Sequence, residues 1–133
     1  MARLRRKHSR GFTLIELMIV ISMIMILVSI AIPVYNQSIM RAKESVLRQN
    51  LFTLRSLISQ YTLDKQKAPQ SLDDLVQNGY IKAIPKDPIT GNPDWETVQE
   101  DYSMSIDQQD TGITDLHSAS TAMSGDGTAY NTW

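Results

Sequence analysis

The chain has 133 residues, with 13 Lys or Arg against 14 Asp or Glu and no Cys. That length allows one modest domain plus an anchor, and the missing Cys excludes a disulfide framework and a thiol nucleophile. The net charge of −1 conceals a split: five of the first ten residues are basic, whereas residues 87–133 hold nine acids and no Lys or Arg, which argues against a nucleic-acid partner for that tail.

The basic start (Arg3, Arg5, Arg6, Lys7, Arg10) leads into Gly11 and Phe12. From Phe12 to Val34 only Thr13, Glu16, Ser22 and Ser29 carry polar side chains. A helix of about 20 such residues crosses a bilayer core, and the cationic flank keeps the N-terminus cytoplasmic. A secretory signal fits less well, because its apolar core runs only about 7–15 residues and has no use for an acid. Glu16 is therefore the informative residue. A carboxylate costs about 2.5–3.5 kcal/mol at the centre of a membrane helix and less near its end, and such residues usually have a partner. If the chain is cut between Gly11 and Phe12, a new cationic amine appears at Phe12 and Glu16 becomes the fifth residue. Pairing the two, within one helix or between staggered parallel helices, makes burial of both charges tolerable and fixes the axial register of an assembly.

Pro33 interrupts the helical pattern but the pattern resumes, which predicts a bend rather than a stop. Met40, Leu47, Leu51, Leu54, Ile58 and Tyr61 then form an apolar stripe at helical spacing. Arg41, Arg48 and Arg55 share another face, either solvated or facing acidic tails of neighbouring subunits. Glu44 stands four residues before Arg48, the favourable orientation for a helix pair. The helix is expected to end near residue 64, before Pro69. A short helix over 72–78 follows, with Ser71 as cap, Asp74 as its partner and Gly79 after it. Asp87, Pro88, Asn92 and Pro93 make turns. From Trp95 alternation predicts a strand with Val98, Glu100, Tyr102, Met104 and Ile106 on one side, and a second short strand at 113–117. The tail, 118–133, is rich in Ser, Thr, Ala and Gly, but Tyr130 and Trp133 should fold it back on the sheet.

The run Arg10, Gly11, Phe12, Thr13, Leu14, Ile15, Glu16, Leu17 resembles the signal sequence of type IV pilins and type II secretion pseudopilins. The Pro69–Leu75 stretch, Ile84 to Pro88, and Gly91, Asn92, Pro93 resemble the corresponding region of the major pseudopilins. The resemblance implies an α+β, pilin-like lollipop: a long N-terminal helix, half transmembrane and half amphipathic, packed on a small antiparallel sheet with a C-terminal loop. It implies a cleaved leader at 1–11, a transmembrane or filament-core helix at 12–34, an amphipathic half at 35–64 and a periplasmic head at 65–133. A prepilin peptidase would cut between Gly11 and Phe12 and methylate the amine of Phe12, and Glu16 would serve assembly. The implied partners are further copies of the chain, minor pseudopilins and an inner-membrane secretion platform. The implied role is a subunit of a periplasmic filament that helps export folded proteins through an outer-membrane secretin.

Two alternatives stand beside that role: a type IV pilus subunit, and a membrane-tethered module that binds a cation or a protein. No catalytic constellation is present. His117 lacks a second ligand at metal spacing and reads as structural or surface. The resemblance also implies calcium in a C-terminal loop, with Asp126 of Gly125-Asp126-Gly127 as a ligand; a plain turn is the other reading.

Overall fold

The structure, a computed structural model, describes residues 11–105 and 108–133, with side chains described outside 102–105 and 108–110. The leader expected at 1–11 therefore lies outside the described residues except for Gly11. The chain divides into two compact units, Met1–Ser38 and Ile39–Trp133.

In the first unit, helix α1 (Leu14–Lys65) begins and passes through Pro33 without interruption. Thr13 starts it: its Oγ1 accepts the Glu16 main-chain N–H at 3.3 Å, which satisfies one of the amides a helix start leaves free. Every large apolar side chain from Phe12 to Val34 is between 44% and 83% exposed. A helix apolar around its whole circumference has to be covered by something other than water. Its hydroxyls are satisfied within the helix, Ser22 donating to the Met18 carbonyl at 2.8 Å and Ser29 to that of Ile26 at 2.7 Å, as a water-poor setting demands.

The second unit forms around the remainder of α1. Leu47, Leu51, Leu54, Ile58 and Tyr61 are buried, together with Leu75, Trp95, Ile113, Leu116 and Tyr130. The helical stripe is as expected except at Met40, which stays exposed; apolar cover from the rest of the unit begins at Leu47, one stripe position later. α1 ends at Lys65, and Gln66 takes a left-handed φ of 57°, so the chain turns before Pro69. Helix α2 (Asp73–Gln77) follows. Asp74 accepts from the Gln70 and Ser71 amides at 2.8 and 3.1 Å, but no side chain caps the helix start, so only half of the expected capping exchange forms. At its end Gly79, with φ +78°, donates to Val76 while Tyr80 donates to Leu75. This is the paired closure that a left-handed glycine permits.

Strands β1 (Glu96–Ser105) and β2 (Gln108–His117) pair antiparallel as a two-stranded sheet. β2 is longer than the 113–117 expected. Its first residues, Gln-Gln-Asp-Thr-Gly, carry no apolar signal and are held by backbone pairing. Among the described residues core contact comes from β2 rather than β1: Ile113 and Leu116 are buried, whereas Val98 is half-buried and Glu100 exposed. The side chains of Tyr102 and Met104, and all of Ile106, lie outside the described residues. Ile113 and Leu116 are three apart, which simple alternation forbids. The register shifts at this point, with Val98 opposite Asp115 and Gln99 opposite Ile113, so Thr114 is an extra residue. That bulge returns Leu116 to the core side. The turn before β1 is built on Asp87, whose Oδ1 accepts the Ile89 amide at 2.7 Å. Its Oδ2 accepts from the buried Ser118 hydroxyl, so the fully buried carboxylate is satisfied.

Candidate functional site

Two places carry chemistry. The first is the helix start. Gly11, Phe12 and Thr13 are exposed and not helical, and α1 begins immediately after them. The Gly11–Phe12 bond thus sits in irregular, accessible backbone, and Glu16 lies in the first helical turn with an exposed side chain. A carboxylate there is favoured by the helix dipole. No ion pair joins Glu16 to another described residue. With the Gly11–Phe12 bond intact there is no amine at Phe12 for it to meet. The spacing of Thr13 and Glu16 is that of a capping box, a signal present in the sequence itself.

The second place is the C-terminal loop. It is ordered, with a bridge between Met123 and Ala129 and a short 3-10 turn, η1 (Tyr130–Thr132). It packs back on β2, as expected, through η1 and the His117–Trp133 contact, and side chains of α1 fasten it as well. Glu44 Oε1 accepts from the Gly125 amide and the Tyr130 hydroxyl, both at 2.9 Å. Arg48 lies 3.5 Å from Asp126 Oδ2 and 4.3 Å from the centre of the Trp133 ring. Arg55 donates to Asp115 Oδ1 at 2.6 Å, to the Leu116 carbonyl at 2.9 Å and to the Trp133 carbonyl at 2.8 Å. The helical pair expected between Glu44 and Arg48 is replaced by these contacts, since each side chain has a better-placed partner in the loop. The acidic tail that Arg48 and Arg55 meet is the chain's own. His117 is structural: its Nδ1 donates to the Trp133 carbonyl at 2.5 Å.

Asp126 is saturated by its neighbours. Its Oδ1 accepts from the Ser124 hydroxyl and from the Thr128 amide and hydroxyl at 3.1 and 2.7 Å. The Ser124 and Thr128 bonds hold the carboxyl down at about 2 against burial, which pushes upward, and the charge of Arg48 adds a lesser downward pull. At Asp115 burial pushes upward, but the bonds from Arg55 and the Leu116 amide outweigh it and leave the carboxyl below its usual range. Burial, then Glu44, push the Tyr130 phenol up to about 12. Among the described residues no three His, Cys, Asp or Glu side chains converge as a metal centre would need.

An apolar helix start with its acid in the first turn, followed by a small α+β unit, defines a pilin-like protein. Residues 6–32 match the family described as the prokaryotic N-terminal methylation motif. The type II secretion system core protein G of Klebsiella michiganensis is 33% identical over 109 residues, 67% of this chain and 74% of that protein. The protein of the same name from Aeromonas hydrophila is 31% identical over 106 residues, 68% of this chain and 73% of that one. The chain belongs to the family of the type II secretion system core protein G. It is also similar to the type IV major fimbrial protein FimA of Dichelobacter nodosus, 44% identical over 61 residues, 46% of this chain and 38% of that protein. No solved structure matches.

Proposed function

We propose that the chain is a structural subunit of a type II secretion pseudopilus, held by a single span in the inner membrane before assembly. The observation that carries this is the helix start: an apolar circumference exposed from Phe12 to Val34 and broken only by an acid in the first turn. In lipid that surface is solvated by acyl chains; in a filament it is solvated by copies of itself. A prepilin peptidase cuts between Gly11 and Phe12 and methylates the freed amine. Glu16 then neutralises that amine, its own or a neighbour's, and the pair sets the stagger of parallel helices. The basic leader stays cytoplasmic and the unit from residue 39 faces the periplasm, where the growing filament works with minor pseudopilins, the inner-membrane platform and an outer-membrane secretin. The role is structural rather than catalytic.

The experiment is an intact mass of the protein purified from membranes. Loss of residues 1–11 with one added methyl group is expected. A chain still beginning at Met1, or one cut elsewhere, would end the proposal. The similarity to FimA favours a second reading, a type IV pilus subunit. Imaging separates the two: long surface fibres in a strain without other pilins would support the pilus, and a filament confined to the periplasm the pseudopilus.

A further inference from the structure

We infer that the C-terminal loop is locked by the guanidinium of Arg48 in the place where the fold family's resemblance would put calcium, so that this unit folds without a divalent cation. Calcium takes about six to eight oxygen ligands, several of them anionic. Asp126 is the only carboxylate in the Ser124-to-Thr128 turn, and three hydrogen-bond donors already point at its Oδ1. Donors aimed at that oxygen repel a metal in the same position. Its Oδ2 faces a fixed cation, Arg48, at 3.5 Å. Two main-chain oxygens of the turn are engaged too: Thr128 accepts from the Ser124 amide and Ser124 from the Gly127 amide. Glu44, a carboxylate of α1 that reaches the turn, is bonded to Gly125 and Tyr130. The residues do not fit a calcium site.

They do fit a built-in cation, the Arg48 guanidinium, in its place. Arg48 arrives from α1, bridges to the acid of the turn and stacks on Trp133 at 4.3 Å. Trp133 in turn donates its indole N–H to Thr128 Oγ1 at 2.7 Å, closing the turn from its other side. One side chain thus joins the helix, the acidic turn and the aromatic anchor, which is the cross-linking a bound ion would supply. Unlike an ion, it is tethered to the chain.

The test uses the full chain in detergent micelles. Thermal unfolding is followed with EDTA and with calcium at roughly 5 mM, several-fold above the ~10⁻⁴–10⁻³ M range of weak extracellular calcium modules. The two melting temperatures are expected to coincide. Amide exchange of the Gly125-to-Thr128 turn is then compared between the native chain and Arg48→Gln, with roughly ten-fold faster exchange expected in the variant. A calcium-induced rise of several degrees in the native protein overturns the inference, and so does unchanged exchange in Arg48→Gln. If Arg48→Gln does not fold, Asp126→Asn removes the same charge contact from the exposed side; unchanged turn exchange in that variant is equally fatal.

Discussion

The hydroxyl of Tyr130 donates to Glu44 Oε1 at 2.9 Å across 86 residues of chain. The phenol ring is buried in the core while the carboxylate also holds the Gly125 amide, so one acid on α1 fastens the loop at two points. Tyr130→Phe keeps the ring and removes the bond. A hydrogen bond to a charged group is worth about 1.5–3 kcal/mol. The variant should melt roughly 4–8 °C lower per kcal/mol lost, as read by calorimetry. Because burial and Glu44 push the phenol up to about 12, its contribution is fully present below the ordinary pKa of 10 and is lost as pH rises through about 12. In a spectrophotometric titration of the folded chain, a phenol titrating near 12 should disappear in Tyr130→Phe.

Gly112 and Ala68 make the second prediction. Gly112 is buried, and a Cβ built on it would stand 2.5 Å from Ala68 Cβ and 3.0 Å from the Ala68 main chain. The requirement is space, not an unusual backbone angle. Gly112→Ala should cost about 1–3 kcal/mol, the range for overpacking. Adding Ala68→Gly should recover part of that loss but not all, because the Ala68 main chain remains in the way. Full additivity of the two changes would contradict the contact.

Acid sensitivity should come from the clamped loop. The Ser124 and Thr128 bonds hold Asp126 at about 2, below its ordinary 3.8. A depressed carboxylate contributes its stability above the ordinary value and loses it as pH falls through the lowered one. The contribution should therefore be intact at pH 5 and decline between about pH 4 and pH 2. Asp115, lowered mainly through Arg55, acts in the same direction. Melting curves over that range should fall less steeply for Asp126→Asn than for the native chain. Parallel curves would show that Asp126 is not the group responsible.

These sites differ in how far they could be read from sequence, and the difference is one of distance along the chain. Gly11, Phe12 and Glu16 lie within six residues, and helical spacing alone places Leu47, Leu51, Leu54 and Ile58 on one face. The first half of β2 was invisible because its pairing uses backbone groups that any polar sequence supplies. Asp87 read as a turn residue, and its burial depends on Ser118, 31 residues away. Glu44 and Arg48 looked like a local pair, since the i,i+4 rule cannot know that a loop 80 residues later brings better partners. The bulge at Thr114, which puts both Ile113 and Leu116 into the core, likewise has no sequence signature of its own.

The last prediction separates two jobs for Glu16. One is local: a carboxylate in the first turn of α1 favours the helix dipole, worth about 0.3–1 kcal/mol. The helix start does not depend on it, because the bond at Thr13 Oγ1 comes from the Glu16 main-chain N–H and survives any side chain. The other job is the proposed pairing with the amine of Phe12, which requires a negative charge. Glu16→Gln keeps shape and hydrogen bonding and removes only the charge; Glu16→Ala removes all three. If Glu16 served the helix alone, the loss from Gln would be a few tenths to 1 kcal/mol, and filaments would still form. If it serves the pairing, each variant leaves an unneutralised amine in an apolar core, a penalty of several kcal/mol per subunit. Both variants should then insert, lose residues 1–11 and stay unassembled in the membrane. Filaments from Glu16→Gln at native yield, seen by shearing or imaging, would refute the pairing and leave the acid with its local job.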